Sequence, residues 1–313
     1  MFMASLLPRT KNLTFGTAVI CLPSHHPVKV AAEVAQFDAM SRGRFMLGVG
    51  IGGLFSDFEL FGNSDRKVRE RKAMESIGMI ERIWAQDPPY DIEGEFWSVK
   101  LTDAIVAELG IGYMPKLYQK PGPPISMSVA SRNSPTARVA AQRGWGIISA
   151  NNVPSEALGS HWDIYSQACA ETGKPARGDN WRVSRNIMIA PSETEARDRV
   201  HSEQGANRYF YSYMREVLSR VGLLSALKPR VDMTDAEATV EAITEGSALY
   251  GSPKTFLDKL IAFRDAAGPF GTLLMTGLDW SGPNRAWERD SMRLLAQEVM
   301  PKFRQHTQAK VAV

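Results

Sequence analysis

The segment that most constrains the fold is an alternation of two apolar runs and a helix near the start of the chain. Residues 13–21 form the first run, and a helix with an apolar face follows, with Pro27 in its first turn and Gly43 at its end. A second run at residues 45–49 opens into a glycine-rich segment at 50–53. A strand, a crossover helix and a second strand build parallel sheet, which binds ligands at the carboxyl ends of its strands.

The same alternation continues along the chain. We predict four further strands with helices between them, at residues 125–129, 146–149, 183–190 and 271–275. Strands that alternate with helices predict an α/β fold with a parallel sheet, which is either an open doubly wound sheet or a barrel.

Two long segments lie between the predicted strands. Residues 87–124 contain two Pro-Pro pairs and scattered aromatic residues, and we predict an irregular excursion there. Residues 193–249 are predicted to be a helical insertion before the last strand. The chain is expected to form a single domain over residues 1–313.

The composition excludes several classes of protein. Of 313 residues, 44% are hydrophobic and 23% are charged, as in globular proteins with a substantial core. The net charge of +3 comes from interleaved basic and acidic residues, so we expect no nucleic-acid partner. No apolar run is long enough for a membrane span, and the first residues lack the features of a signal peptide. The two cysteines, Cys21 and Cys169, show no metal or disulfide spacing, so we expect a reducing cytoplasm.

The glycine run at the end of the second strand could belong to a dinucleotide-binding fold. That fingerprint needs G-x-G-x-x-G leading directly into a helix, with an acidic residue after the next strand. Here the pattern is G-x-G-x-G-G at residues 48–53, it leads into an aromatic loop, and no acidic residue ends the third strand. The sequence therefore disfavours a Rossmann-type cofactor site.

Several short motifs together point to one family. They are GTAV at 16–19, LPSHHPV at 22–28, DAMSRGRF at 38–45, DFELFG at 57–62, SRNSPT at 131–136, GSP at 251–253 and SMRLLAQEVMP at 291–301. In this order they resemble the bacterial luciferase-like flavin-dependent monooxygenases. The resemblance implies a (β/α)8 TIM-barrel type of fold. Because only six parallel strands are predicted, and the first resembles the third strand of the family, we expect an N-terminally incomplete barrel that lacks two β/α units.

The resemblance implies which residues contact the flavin ring. Thr17 and Ala18 correspond to positions beneath the ring, where the peptide can be non-prolyl cis; without the resemblance they are ordinary strand residues. Gly52 and Gly53 could offer backbone N–H groups to the cofactor. Some relatives carry an arginine where this chain has Ile51.

The loop after the third predicted strand is the candidate phosphate site. Ser131, Arg132 and Ser134 lie where the strand ends and a helix begins, and free N–H groups there suit a phosphate dianion. Arg132 could add a charge-assisted hydrogen bond. The structural alternative is simple capping of the helix by Ser134.

His26 is the candidate catalytic residue. A histidine at a helix start commonly caps the helix, whereas the resemblance places His26 on the cofactor side, where it would handle protons near the flavin. His161, His201 and His306 have no convergent acids or serines in sequence, so neither a catalytic triad nor a metal site is predicted.

Taken with the resemblance, these residues predict a flavin-dependent monooxygenase. It would use O2 and reduced FMN from a separate flavin reductase to oxygenate a small, mainly apolar molecule, such as a terpene or another alicyclic compound. Two alternatives remain open: a deazaflavin-dependent dehydrogenase on the same barrel, and a non-catalytic or vestigial flavin-binding protein. A homo-oligomer, dimer or tetramer, is expected.

Overall fold

The computed structural model describes residues 2–311, and side chains up to residue 307. The chain folds into two compact units, Met1–Ser128 and Val129–Val313. No helix in the described part of the chain is long and apolar enough to cross a membrane.

The first unit contains the predicted β-α-β segment. Its elements are α1 (Phe2–Leu6), β1 (Phe15–Gly16), β2 (Ile20–Cys21), α2 (Pro27–Ser41), β3 (Phe45–Gly50), α3 (Phe55–Leu60), α4 (Arg66–Ala85), β4 (Tyr90–Glu93), β5 (Ser98–Leu101) and β6 (Ile125–Val129), whose last residue belongs to the second unit. Strand β3 is central: β1, β2 and β6 all pair with it in parallel.

The predicted first strand, residues 13–21, is divided in two. Strand β1 pairs with the start of β3 and β2 with its end. Between them the Thr17 hydroxyl donates a hydrogen bond to the Gly48 carbonyl (2.8 Å) and accepts one from the Gly48 N–H (2.9 Å). A side chain therefore takes the place of the backbone ladder where β1 ends.

Helix α2 forms as its local sequence predicts. Pro27 occupies the first turn, where a missing N–H costs nothing, and His26 caps the helix. The buried face carries small and branched apolar residues, including Val30, Ala31, Val34 and Ala35. The chain leaves the helix through two consecutive left-handed residues, Arg42 (φ 55°) and Gly43 (φ 78°), so the turn begins one residue before the predicted glycine.

The prediction that residues 87–124 are irregular is wrong in part. Strands β4 and β5 form an antiparallel hairpin there. The Glu75 carboxylate on α4 accepts hydrogen bonds from three N–H groups of the hairpin turn, those of Glu95 (2.7 Å), Phe96 (3.0 Å) and Trp97 (2.8 Å). The strands are only four residues long, and a distant carboxylate holds their turn, so no local signal reveals them.

The second unit continues the alternation of strands and helices. Its elements after β6 are α5 (Thr136–Arg143), β7 (Gly146–Ser149), α6 (Gly159–Glu171), β8 (Trp181–Ile189), α7 (Glu193–His201), α8 (Ala206–Arg220), α9 (Val240–Ser247), β9 (Leu249–Gly251), α10 (Pro253–Ala267), β10 (Thr272–Thr276), α11 (Arg285–Leu294), a π-helical turn (Leu295–Val299) and α12 (Met300–Val311). Strands β7, β9 and β10 pair in parallel with β8. Strand β9, with three residues, is a parallel strand that the sequence did not reveal.

Aromatic packing and helices complete the second unit. The Trp181 indole at the start of β8 is fully buried and stacks on Trp162 of α6, with 5.5 Å between ring centroids. The predicted helical insertion contains α7, α8 and α9, whose apolar residues share one cluster with Met188 and Tyr250. Ser252 caps α10 through its hydroxyl, as predicted.

Candidate functional site

In the first unit, the candidate residues lie where β1, β2 and β3 end. Thr17 is half-buried with its hydroxyl bound to Gly48, and the neighbouring Ala18 is exposed. The peptide between Ala18 and Val19 is cis, one residue later than the position expected from the resemblance. Because the Ala18 side chain is a single methyl group, a flat ligand can approach the backbone closely here.

The glycines after β3 differ in how much room they have. A Cβ atom added at Gly50 would lie 2.8 Å from Cγ2 of Val19, so a larger residue would require the Val19 side chain to move. Gly52 adopts φ +85°, and its added Cβ would lie 3.2 Å from Cε1 of Phe58 and 3.6 Å from the Cys21 sulfur. An added Cβ at Gly53 would have nothing within 4 Å, so this position is open. Sequence reasoning did not assign Gly50 a role, although the glycine run contained the signal.

His26 lies after β2 at the start of α2. Its Nδ1 atom accepts a hydrogen bond from the Val28 N–H at 3.3 Å, and its ring meets the edge of Trp97 with centroids 5.0 Å apart. The Nε2 atom of this exposed side chain forms no hydrogen bond within residues 2–311. The structural role, helix capping, is therefore present, and the other ring nitrogen remains available to a ligand.

A buried arginine organises the segment beside His26. The Arg69 guanidinium lies 3.5 Å from the centre of the Phe58 ring and donates hydrogen bonds to the carbonyls of Asn63 (2.7 Å) and Ser64 (2.8 Å). The Asn63 amide in turn donates to the carbonyl of Pro23 at 3.0 Å. Burial lowers the pKa of Arg69 below its usual value. This network ties the loop after α3 to the turn that precedes His26.

In the second unit, the loop after β6 carries the candidate phosphate residues. Ser131 and Arg132 are half-buried, and one guanidinium nitrogen of Arg132 lies 3.4 Å from the Pro229 carbonyl. Ser134 is buried, and its hydroxyl accepts a long hydrogen bond of 3.4 Å from the Thr136 N–H. This contact resembles the capping alternative, although Pro135 holds the cap position of α5. The Arg132 N–H donates no hydrogen bond to a group among residues 2–311.

A buried histidine to which the sequence analysis assigned no role contacts this loop. His161 on α6 places Nε2 2.9 Å from the Ser131 carbonyl oxygen and Nδ1 2.8 Å from the Ser149 hydroxyl. The expectation that His161 has no convergent serine is therefore wrong, because the fold brings together residues that are twelve positions apart. Desolvation lowers the pKa of His161 to about 4, and the charges of Arg185 and Arg132 also lower it, against the opposing effect of the Ser131 contact.

The pairing of Ser149 and His161 does not form a nucleophile. Both side chains are fully buried, and the Ser149 oxygen also accepts a hydrogen bond from the Trp181 indole N–H at 2.8 Å. A catalytic serine needs access to substrate and a further group to orient its histidine as a base, whereas here the histidine bonds a backbone carbonyl. Within the described residues, no group of three or more histidine, cysteine, aspartate or glutamate side chains could hold a metal ion.

The candidate residues thus form two groups. The first unit brings Thr17, Ala18 and Gly52 to the ends of adjacent strands, with His26 following β2. The second unit holds Ser131, Arg132 and Ser134 in one short loop.

Comparison with known proteins identifies the family of this chain. A family model described as luciferase-like monooxygenase matches residues 1–268. The chain belongs to the luciferase-like monooxygenase family. The family predicted from the motifs is confirmed, and with it the class of enzyme: an oxidoreductase of the monooxygenase type.

Individual members of the family are moderately similar to this chain. The 3,6-diketocamphane 1,6-monooxygenase of Pseudomonas putida is 27% identical over 97% of this chain and 83% of its own length. The limonene 1,2-monooxygenase of Rhodococcus erythropolis is 30% identical over 97% of this chain and 72% of its length. An F420-dependent glucose-6-phosphate dehydrogenase of Amycolatopsis mediterranei is 24% identical over 97% of this chain and 83% of its length.

A solved structure supports the same fold. The oxygenating constituent of 3,6-diketocamphane monooxygenase of Pseudomonas putida, a type II Baeyer-Villiger monooxygenase in complex with FMN, superposes with a TM-score of 0.81. It is 26% identical to this chain, and the match covers 96% of this chain and 82% of that one. The predicted α/β fold of the TIM-barrel type is thereby confirmed.

Proposed function

We propose that this protein is the oxygenase component of a two-component flavin monooxygenase, which uses reduced FMN and O2 to oxygenate a small, mainly apolar molecule. One observation carries the proposal: a chain of this family presents, at the carboxyl end of β6, a loop with the donors that a phosphate needs. When bound, reduced FMN supplies the electrons that activate O2.

The phosphate end of FMN is assigned to the loop of Ser131, Arg132 and Ser134. The Ser131 hydroxyl is half-buried and forms no hydrogen bond within residues 2–311, and the Arg132 N–H is likewise free there. Within the described residues, the Arg132 guanidinium makes only one long hydrogen bond, to the Pro229 carbonyl, so it can turn toward an anion. Ser134 contributes by holding the start of α5 rather than by direct contact, since its side chain is buried.

The ring end of FMN is assigned to Thr17, Ala18, Gly52 and Gly53. Both hydrogen-bonding functions of the Thr17 hydroxyl are occupied by Gly48, so this residue fixes the backbone beneath Ala18. Ala18 is exposed and small, which leaves a flat surface. The open surroundings of Gly53 allow a ligand to approach its N–H. These features fit an aromatic ring system that lies against backbone.

His26 is assigned a proton-transfer role. Its Nδ1 accepts from a backbone N–H, so the neutral tautomer carries its proton on Nε2. The Trp97 ring fixes the plane of the imidazole, and Nε2 is left to donate to an oxygen atom of the reacting species.

The substrate is proposed to be apolar because of the side chains that follow the glycine run. Leu54 (44% exposed), Phe55 (36%) and Phe61 (50%) present hydrocarbon in the segment that follows Gly53 in sequence. Terpenes and other alicyclic compounds are the first substrates to test, in keeping with the diketocamphane and limonene monooxygenases among the relatives. A separate flavin reductase would supply the reduced FMN.

A deazaflavin-dependent dehydrogenase is the second candidate, because one relative is an F420-dependent enzyme. Mixing the protein with reduced FMN and limonene and following dissolved oxygen separates the two. A monooxygenase consumes oxygen in proportion to oxygenated product. Hydride transfer from substrate to oxidised deazaflavin in the absence of oxygen would instead support the dehydrogenase.

A non-catalytic flavin-binding protein is the third reading. It would bind FMN yet release hydrogen peroxide without oxygenated product for every substrate tested. Failure to bind reduced or oxidised FMN at all would contradict the proposed function as a whole.

A further inference from the structure

We propose that His161 is a positioning residue that aims the Ser131–Arg132 peptide at the flavin phosphate, through a directed chain of hydrogen bonds from Trp181 and Ser149. The inference rests on the proposed function, because it takes the loop of Ser131 and Arg132 to be the phosphate site. It adds a role for three buried residues that lie outside that loop.

The direction of the chain follows from what each group can donate. The Trp181 indole N–H only donates, so the Ser149 oxygen accepts at that contact (2.8 Å). The Ser131 carbonyl only accepts, so Nε2 of His161 carries the proton there (2.9 Å). A neutral imidazole has one protonated nitrogen, which makes Nδ1 the acceptor of the Ser149 hydroxyl proton at 2.8 Å.

The histidine remains in this neutral state at ordinary pH. The side chains of Trp181, Ser149 and His161 are all fully buried, with 0% relative exposure. Each contact is thus a hydrogen bond in a medium of low dielectric constant, where successive donors strengthen one another and a missing partner is costly. The three residues accordingly fix the position of the Ser131 carbonyl oxygen.

Fixing this carbonyl also fixes the next N–H group. The Ser131–Arg132 peptide is trans, and in a trans peptide the C=O and N–H bonds point in opposite directions. Because the carbonyl points at His161, the Arg132 N–H points away from it, and it forms no hydrogen bond within residues 2–311. The hydrogen bond between His161 and the Ser131 carbonyl therefore determines the direction in which the Arg132 N–H points.

The residue before His161 holds the loop at a second point. The Ser160 hydroxyl accepts from the Asn133 N–H at 3.0 Å and donates to the Ala157 carbonyl at 2.7 Å. Asn133 adopts a left-handed conformation (φ 53°), so the chain bends sharply directly after this second anchored position. Two consecutive residues of α6 thus restrain one carbonyl and one N–H of the loop. The N–H of Arg132, which lies between these two groups, has no partner in the described part of the chain.

Comparing FMN with riboflavin tests this role, because the two ligands differ by the phosphate alone. We expect His161→Leu to weaken binding of reduced FMN about tenfold, the order expected for one hydrogen bond to a charged group. Its affinity for reduced riboflavin should stay within about twofold. His161→Gln should recover most of the FMN affinity, since its amide N–H can reach the Ser131 carbonyl. The measurement is an anaerobic fluorescence titration with each ligand.

Tyr165→Phe is the matched control. Tyr165 lies on the same helix, is equally buried and donates a hydrogen bond to the Trp145 carbonyl at 3.0 Å, away from the loop. This variant should lose stability without changing the ratio of the two affinities. A general loss of packing would lower the affinities for FMN and riboflavin together. A misdirected Arg132 N–H would lower only the affinity for FMN.

A second variant keeps the test decisive if His161→Leu does not fold. Ser149→Ala retains the imidazole but removes the donor to Nδ1, and the FMN-to-riboflavin ratio should fall several-fold. An unchanged ratio in the His161 and Ser149 variants, with a lowered ratio in Ser131→Ala, would overturn the positioning role and leave the phosphate site intact. An unchanged ratio in all of them, including Ser131→Ala, would instead contradict the phosphate site itself.

Discussion

At the scale of single residues, Gly50 shows how a neighbouring side chain limits which residue can occupy a position. A Cβ there would lie 2.8 Å from the Val19 side chain, a distance that packed atoms do not tolerate. At Gly53, three residues later, an added Cβ would have no atom within 4 Å. The sequence reveals both glycines, but it does not reveal that one is required for packing and the other leaves room for a ligand.

Gly50→Ala should therefore destabilise the protein, and Gly53→Ala should not. Overpacking of this kind costs about 1–3 kcal/mol. The free energy of unfolding, measured by urea denaturation, should fall by that amount for Gly50→Ala and stay within about 0.5 kcal/mol of wild type for Gly53→Ala. Equal losses in the two variants would contradict the close contact between Val19 and Gly50.

His161 makes a residue-scale prediction about pH. Its pKa in the folded protein is about 4, below the value of 6.5 in an unfolded chain. Between these values the unfolded state binds the extra proton, so stability is fully present above pH 6.5 and is lost as the pH falls toward 4.

Wild type should lose about 2 kcal/mol more stability than His161→Gln between pH 7 and pH 5, because each pH unit below 6.5 costs up to about 1.4 kcal/mol. Urea denaturation of both proteins at the two pH values provides the measurement. Parallel losses in wild type and variant would show that His161 is not held neutral by burial.

At the scale of secondary structure, elements whose ends are marked by nearby capping residues were predicted. Elements that form only through contacts with residues far away in sequence were not. Helix α2 begins at Pro27, and α10 is capped by Ser252, as their sequences indicate. The hairpin of β4 and β5 depends on Glu75, which is about twenty residues away along the chain. Strand β9 has only three residues and exists because β8 offers an edge for pairing.

Glu75→Gln should loosen the hairpin, since its carboxylate accepts three N–H groups and an amide can accept fewer. Hydrogen exchange at the amides of residues 95–97 should accelerate about tenfold to hundredfold, which corresponds to about 1–3 kcal/mol. Glu93→Gln is the control, because within the described residues the Glu93 carboxylate accepts a hydrogen bond only from the Ser98 hydroxyl. Unchanged exchange in Glu75→Gln would rule out this anchoring.

At the scale of the whole molecule, the fold class and the family could be predicted because their motifs are continuous in sequence. The buried chain of Trp181, Ser149 and His161 could not, since its members join residues that are twelve to thirty-two positions apart. Likewise, the sequence suggests a phosphate loop at Ser131, but only the fold shows that its Arg132 N–H is left without a protein partner among residues 2–311. The site residues remain predictions, as do the single-domain organisation and the homo-oligomer; these residues are Thr17, Ala18, His26, Gly52, Gly53, Ser131, Arg132 and Ser134.

The central claim, that this chain transfers an oxygen atom from O2 to an apolar molecule, is tested most directly with isotopically labelled dioxygen. The protein, reduced FMN from a reductase and limonene or a bicyclic ketone are mixed under labelled O2, and the product is analysed by mass spectrometry. We expect one labelled oxygen atom in each molecule of product. An oxidised product that carries no label, or one that forms equally well without oxygen, would contradict it.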